Sequence, residues 1–104
     1  MAYTPNVMKN FNATAVTSET TVWTPTTGTK FRILKAVLAS SVAGNLIFRD
    51  GAGGSTIWVV PLAANTPIPL DLGAIGLVSL TTNAVLTCQG PGNLSGYIQG
   101  CETV

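Results

Sequence analysis

Short apolar and β-branched runs, each ended by Gly, Pro, Asn or Asp, follow one another along the chain from residue 14 onward. Turn-forming residues recur about every 8–12 residues, which is typical of an all-β sandwich or barrel. No window repeats apolar residues at helical spacing for long enough to predict an amphipathic helix. We predict about eight short antiparallel strands, at 14–23, 30–39, 45–49, 55–60, 66–72, 77–82, 84–89 and 94–100.

Residues 1–12 lack this pattern, so we predict an N-terminal arm at 1–12 and one sandwich domain at 13–104. The first residues do not show the basic start and apolar stretch of a secretory signal. The longest uncharged apolar run, from Ala36 to Phe48, contains polar residues and is too short to span a bilayer. We therefore expect no membrane partner.

Prolines predict one sheet edge. Pro67 and Pro69 lie two residues apart, so their missing amide donors fall on the same side of the strand at 66–72. A central strand would lose two ladder hydrogen bonds there. This segment is therefore expected at an edge, which its prolines also protect against aggregation.

Two hairpins are predicted from turn residues. An Asp-Gly turn with further glycines separates 45–49 from 55–60. A Gly-Pro-Gly-Asn turn separates 84–89 from 94–100. In each case the two flanking strands are expected to pair.

The last hairpin bears on the two cysteines. Pairing 84–89 with 94–100 separates Cys88 from Cys101 by roughly 16 Å along the ladder, at about 3.3 Å per residue, and on opposite faces. A disulfide needs Cα atoms less than about 7 Å apart. We expect both thiols to be free, unless a bulge or pairing between chains brings two cysteines together.

The segment 31–38 carries apolar side chains at both alternating sets of positions. Strands buried on both faces have this pattern, whereas a two-sheet domain has one inner layer. We expect further copies of the chain to cover the second face in a closed oligomer; exposed apolar residues on a monomer are the alternative. The candidate seam residues are Phe31, Ile33, Leu34, Leu38, Val78 and Leu80.

Composition narrows the function classes. Hydrophobic residues make up 46% and charged residues 9% of the chain, and histidine is absent. Such a composition excludes intrinsic disorder and histidine-based catalysis, metal ligation or pH switching. A net charge of +1 provides no field for attracting nucleic acid.

The remaining groups predict no catalytic site, metal site or cofactor. No two of the four acids are close in sequence, and Asp50 and Asp71 are interpreted as turn residues. The Gly-rich stretch 50–54 lies between strands, whereas a phosphate cradle needs a following helix. Two cysteines without histidine do not form a zinc site. We expect the protein not to be an enzyme.

Two groups of side chains are candidates for binding. Lys30, Arg32 and Lys35 form a small basic group, either as solvated strand ends or as a docking site for an acidic protein surface. Trp23, next to a Thr-Pro corner, and Tyr97 could stack on sugars. Trp58 lies within an apolar run and is expected in the core.

Several segments together carry a resemblance to a known family: 22–25 (Val-Trp-Thr-Pro), 30–33 (Lys-Phe-Arg-Ile), 48–51 (Phe-Arg-Asp-Gly), 61–67, 71–73 and 95–102. Over residues 20–103 the chain resembles the capsid decoration (cement) proteins of tailed bacteriophages. The resemblance implies a compact jelly roll similar to tumour necrosis factor, and a trimer on capsid three-fold or quasi-three-fold axes. It also implies no catalysis and no cofactor.

The resulting expectation is a structural virion protein, made in the host cytoplasm, that cements the capsid exterior as a homotrimer. Its partners would be copies of itself and the major capsid protein, with contacts from the arm and from Lys30, Arg32 and Lys35. The alternative is a carbohydrate-binding or adhesin module at a tail-fibre or spike tip on the same fold. That alternative requires Trp23 and Tyr97 to be exposed on one surface.

Overall fold

Nine β-strands follow one another in the computed structural model, which describes residues 3–104. Met1 and Ala2, the start of the predicted arm, lie outside the described residues. The strands are β1 (Val7–Ala15), β2 (Thr20–Trp23), β3 (Lys30–Ser40), β4 (Gly44–Asp50), β5 (Ser55–Leu62), β6 (Ile68–Asp71), β7 (Leu77–Val78), β8 (Leu86–Gln89) and β9 (Asn93–Thr103). The prediction of an all-β chain is confirmed.

The strands form two antiparallel sheets. The five-stranded sheet has the order β1-β9-β3-β6, with β7 also paired to β3. The four-stranded sheet has the order β2-β8-β4-β5. Their inner faces share one apolar core, so the prediction of a β-sandwich is confirmed. The largest buried side chains include Trp23, Leu46, Phe48 and Leu86 from one sheet and Phe31, Ile33, Leu38, Leu94 and Ile98 from the other.

A β-bulge at Leu34 interrupts β3. In the pairing of β3 with β9 the register shifts between Ile33 and Lys35, so Leu34 is an extra residue. Odd-numbered residues such as Phe31 face the core before the bulge, and even-numbered residues such as Leu38 face it afterwards. One shift of register, rather than two buried faces, therefore explains the apolar residues at both sets of positions.

Four of the six predicted seam residues are consequently buried within the chain: Phe31, Ile33 and Leu38 lie in the core, and Leu34 is covered at the bulge. Phe31, Ile33, Leu34 and Leu38 are between 0% and 4% exposed. A side chain buried within its own chain cannot contact a second copy, which corrects the prediction for these four residues. The outer face of β3 carries Lys30, Arg32, Lys35, Val37 and Ala39 instead.

Residues 7–12 of the predicted arm belong to a strand. β1 pairs with β9 from Val7 to Ala15, so the folded domain begins near residue 7 rather than 13. This edge strand buries only one side chain, Phe11. Because the other inward positions are not fully covered, the alternation in the sequence is too weak to predict a strand.

One predicted hairpin is present and the other is absent. β4 pairs with β5 across a loop at 51–54, which confirms the first hairpin. β8 pairs with β2 and β4, whereas β9 pairs with β1 and β3 in the other sheet, so the prediction of the last hairpin is wrong. Turn residues indicate where the chain changes direction, but they do not determine which sheet the next strand joins.

Cys88 and Cys101 are free thiols, both buried, on different sheets. Their separation comes from this placement in opposite sheets, since the hairpin used to estimate it does not form. Burial raises the pKa of Cys88 to about 12. Burial also raises the pKa of Cys101, against a smaller lowering by Arg32. The thiolate that acts as a nucleophile is therefore disfavoured at both positions.

Each edge strand has a feature that discourages pairing with a further strand. The edge predicted from the prolines is confirmed, because β6 is the last strand of its sheet. Pro67 precedes β6 and Pro69 lies within it. β5 carries Pro61 and a register shift, and β2 has four residues. β1 has a register shift at the positive-φ residue Ala13, and Lys9 is opposite the inward-facing Ile98. Contacts with other molecules are therefore favoured at the sheet faces and loops rather than at the edges.

Candidate interaction surface

The outer face of the five-stranded sheet displays two rows of side chains that cross four strands. Paired residues of neighbouring antiparallel strands point to the same side of a sheet, so the register defines each row. One row is Met8, Gln99, Lys35 and Asp71, and the other is Asn10, Tyr97, Val37 and Pro69. We call these eight residues the outer rows; they combine one pair of charges with amide and apolar side chains.

A groove follows β6 along the end of the outer rows. Its first cavity, of about 290 Å³, is lined by Tyr3, Pro5, Gly73, Ala74, Lys35 and Asp71 together with Leu34. Its second cavity, of about 220 Å³, is lined by Val37, Pro69, Leu70, Tyr97, Lys35 and Asp71 together with Ala36. Lys35 and Asp71 are shared by both cavities and mark their junction. We call this surface the Lys35 groove.

The three basic residues predicted to contact a partner differ in how strongly the rest of the chain holds their side chains. Arg32 is held by its own chain: Nη1 donates a hydrogen bond of 2.6 Å to the Ile75 carbonyl, and the guanidinium carbon lies 4.0 Å from the Tyr3 ring centroid. Such a cation–π contact stabilises by about 0.5–1 kcal/mol at an exposed site. Lys30 is half-buried at the start of β3, whereas Lys35 is exposed in the groove. Lys35 is therefore the cation most available to a partner.

The two sheets carry charges of opposite sign. The five-stranded sheet holds four of the five cations and two of the four carboxylates, a balance of +2: Lys9, Lys30, Arg32, Lys35, Asp71 and Glu102. The other side holds Arg49, Asp50 and Glu19, a balance of −1, and the two balances give the net +1 of the chain. Among residues 3–104 no Lys or Arg nitrogen lies within 4.0 Å of an Asp or Glu oxygen. The ammonium group of Lys35 is thus close to Asp71 in register without forming an ion pair with it.

The aromatic residues do not form a shared platform for sugars. Trp23 is 1% exposed, with its ring centroid 5.8 Å from that of Phe31 in the core. Trp58 is half-buried and stacks on Phe48 with centroids 5.1 Å apart. Tyr97 is half-buried in the outer rows. Trp23 therefore does not lie at an exposed corner, and the carbohydrate-binding alternative loses the feature that it required.

Glu102 binds the buried indole of Trp23. The carboxylate accepts hydrogen bonds of 2.9 Å from Trp23 Nε1, 2.7 Å from Thr26 Oγ1 and 3.2 Å from the Thr26 amide. The hydrogen bonds from Thr26 and Trp23 lower the pKa of Glu102. The sequence contained no signal for this pairing, because the two elements are far apart along the chain.

Two seam candidates remain on the surface. Val78 is half-buried opposite Arg32 in β7, and Leu80 is 60% exposed just after that strand. Ile75, in the same segment, is 69% exposed. These three apolar side chains lie within six residues of one another along the segment that follows β6.

Asp71 accepts a hydrogen bond in its own turn, as the sequence predicted, whereas Asp50 ends β4 and accepts hydrogen bonds from the distant segment after β7. Asp50 Oδ2 accepts from the Leu80 amide at 3.2 Å and from Thr81 Oγ1 at 3.3 Å. Asp71 Oδ1 accepts from the Gly73 amide at 2.9 Å. Both carboxylates therefore stabilise loops next to the five-stranded sheet.

Glu19 fixes the loop of the β4–β5 hairpin against β8. Its carboxylate accepts hydrogen bonds of 2.6 Å from Thr87 Oγ1 and of 2.9 and 3.0 Å from the Gly53 amide. These two groups, Thr87 first, lower the pKa of Glu19. The carboxylate stabilises an edge hairpin on the side of the molecule opposite the outer rows.

Between residues 3 and 104 no three His, Cys, Asp or Glu side chains come together in a way that could hold a metal ion. That part of the chain also contains no helix with the length and apolar character needed to cross a membrane. Comparisons with protein-family models, with curated proteins and with solved structures found no match to this chain.

Three members of the outer rows were not anticipated from the sequence. Met8 and Asn10 fell in the predicted arm, and Gln99 fell in the hairpin that does not form. The sequence carries no clear signal for Met8 and Asn10, because the inward-facing positions of β1, Val7, Lys9 and Phe11, include a charged residue that breaks the apolar alternation.

Proposed function

We propose that this protein is a non-enzymatic structural component of a tailed-phage virion that cements the capsid exterior as a homotrimer. Its partners are copies of itself and the major capsid protein. The observation that carries the proposal is the outer face of the five-stranded sheet. This face combines apolar, amide and cationic side chains, which suits it to a protein surface.

The strand order supports a jelly roll similar to that of tumour necrosis factor. Apart from the two-residue strand β7, eight strands lie in two four-stranded sheets, with the orders β1-β9-β3-β6 and β2-β8-β4-β5. The last strand lies beside the first, and the chain moves repeatedly between the sheets. An eight-stranded double sheet of this kind is the arrangement of a jelly roll.

Protection of all four edges supports assembly through faces and loops. The apolar side chains of the segment after β6 supply a seam for the trimer: the exposed Ile75 and Leu80 and the half-buried Val78. A seam at which the same segment of each copy meets around a three-fold axis closes the oligomer instead of extending it. Of the six seam residues predicted from the sequence, this proposal keeps Val78 and Leu80.

The shell contact is assigned to the cations of β3, with Lys35 and Lys30 reaching the partner and Arg32 supporting the surface from within. A trimer presents three copies of this weak contact, and linked contacts multiply into avidity. Binding to the assembled shell but not to its free subunits stabilises the shell by mass action.

The proposal is tested with capsids of the encoding phage assembled without this protein. Purified protein is mixed with the shells, sedimented, and the pellets are heated alongside untreated shells. We expect saturable co-sedimentation and a higher disassembly temperature of the decorated shells. Absence of the protein from the pellet at micromolar concentrations would overturn the proposal.

A further inference from the structure

We propose that the Lys35 groove binds an extended, acidic segment of a partner protein. A carboxylate of the segment lies at Lys35, and apolar side chains occupy the two cavities on either side. This inference rests on the proposed function for the source of the segment, which would be the shell protein.

The shape of the groove fits an extended chain. Its two cavities, of about 290 and 220 Å³, meet at Lys35 and Asp71 and follow the direction of β3 and β6. In an extended peptide, alternate side chains lie on the same side about 6.6 Å apart, twice the rise of about 3.3 Å per residue. Three such side chains in a row would meet the first cavity, Lys35 and the second cavity in turn.

The residues that line the two cavities determine which side chains of the bound segment fit on either side of its central acid. Tyr3, Pro5 and Ala74 line the first cavity, and Tyr97 and Pro69 line the second. Aromatic and proline side chains offer rigid apolar surfaces with little conformational entropy to lose. Apolar or proline residues on either side of the central acid are therefore favoured.

The charge of the groove determines which residue of the bound segment lies at Lys35. The ammonium group of Lys35 has no carboxylate within 4.0 Å among residues 3–104, and Arg32 and Lys30 add positive charge on the same strand. The only outward-facing acid of the sheet, Asp71, has Oδ1 bound to the Gly73 amide. A partner carboxylate thus gains an unpaired cation, and complementary charge also increases the association rate.

The edge of the sheet excludes the main alternative for an extended partner. A strand added to β6 would need amide donors that Pro67 and Pro69 do not have. Docking is therefore through side chains on the face beside β6 rather than through a new ladder of backbone hydrogen bonds.

The test starts from an mRNA-displayed library of random linear 12-residue peptides, selected on the full chain. We expect enriched sequences to carry Asp or Glu between apolar or proline residues. Peptides synthesised from the enriched sequences are then measured by fluorescence anisotropy against variants of the protein. A library without enrichment, or enriched sequences without an acid, would overturn the inference.

Three variants separate charge recognition from a structural effect. Lys35→Gln should weaken binding by about two- to fivefold, the upper part of the range for an exposed charge pair. Asp71→Asn keeps the oxygen that binds the Gly73 amide but removes the like charge, so binding should tighten by about two- to fivefold. Lys9→Gln, on the opposite side of β1 from the outer rows and outside both cavities, is the matched control and should change binding by less than about twofold. Equal weakening by Lys35→Gln and Lys9→Gln, or no tightening by Asp71→Asn, would contradict docking in the groove.

The same variants distinguish this inference from the virion role. If acidic peptides bind as expected and empty shells do not, the groove stands and the proposed function fails. If shells bind the Lys35→Gln variant as tightly as the original protein, the virion role stands and the groove is not its contact.

Discussion

The indole Nε1 of Trp23 donates a hydrogen bond of 2.9 Å to the carboxylate of Glu102, and this bond joins the end of β2 in one sheet to the end of β9 in the other. The indole is buried in the core, so its only polar atom would otherwise lose its hydrogen bond to water without replacement. The same carboxylate binds Thr26 and thereby fixes the loop that leads into β3. One acidic side chain thus joins both layers of the sandwich at the end where β3 begins.

Glu102→Ala is therefore expected to lower the free energy of unfolding by about 1–3 kcal/mol, the cost of leaving a buried donor unpaired. Urea denaturation followed by tryptophan fluorescence measures this change. Thr103→Ala, at the next position, is the control and should change stability by less than about 0.5 kcal/mol. Coincident denaturation curves for the two variants would contradict the role assigned to Glu102.

Acid should destabilise the protein through Glu19 and Glu102. Both have folded-state pKa values below their usual 4.5, because each carboxylate accepts hydrogen bonds that favour its charged form. The unfolded chain therefore binds protons first as the pH falls. Their contribution to stability is fully present above pH 4.5 and is lost as the pH falls through the lower folded-state values.

Thermal unfolding at a series of pH values measures this dependence. The double variant E19Q/E102Q should have a lower melting temperature than the original chain at neutral pH. Its melting temperature should also decrease less as the pH is lowered. An unchanged decline in the double variant would show that other groups determine the acid sensitivity.

Gly100 lies where β9 passes close to the backbone of β3. A β-carbon at this position would collide with the backbone carbonyl of Arg32 and would lie 3.1 Å from Cη2 of Trp23. Gly100→Ala should therefore cost about 1–3 kcal/mol of stability, as overpacking of a filled core does. Gln99→Ala, on the outer face one residue away, is the matched control and should cost less than about 0.5 kcal/mol. Equal free energies of unfolding for the two variants, measured by urea denaturation, would show that β3 and β9 can move apart at this point without destabilising the protein.

Local chemistry explains which parts of this fold were predictable. The Asp-Gly loop between β4 and β5 and the prolines of β6 act on their own backbone, so the sequence indicates a hairpin and an edge directly. The bulge at Leu34 depends instead on how β3 meets β9. A shift of one residue exchanges the two faces of a strand, so the missed bulge placed Phe31 and Ile33 at a subunit seam.

The candidate surface was also predictable only in part, because most of it depends on pairing between strands that are distant along the chain. Lys35 was identified from the sequence as a member of the small basic group that it forms with Lys30 and Arg32. Its neighbours Gln99 and Asp71 join it through strand pairing across 64 and 36 residues. Tyr97 was singled out as a sugar-stacking residue, but its surroundings depend on the same pairings. A single sequence carries no record of such long-range pairings.

The exposed segment after β6 provides a test of the proposed trimer. Leu80 is 60% exposed and Ile75 is 69% exposed, so an aspartate at either position does not disturb the core. Leu80→Asp and Ile75→Asp should each convert the trimer to monomers, because the charge would be buried without a partner in the seam. Sedimentation velocity at micromolar concentrations measures the oligomeric state.

Val42→Asp is the matched control for this test. Val42 is 49% exposed in the turn between β3 and β4, at the end of β3 opposite to Ile75 and Leu80, and should tolerate the charge without a change of oligomeric state. Circular dichroism should show that all three variants remain folded; urea stability is not the control here, because loss of subunit contacts by itself lowers the stability of an assembled protein by mass action. Dissociation by Val42→Asp alone would place the seam at the other end of the sandwich, whereas a monomeric original protein would remove the trimer from the proposal.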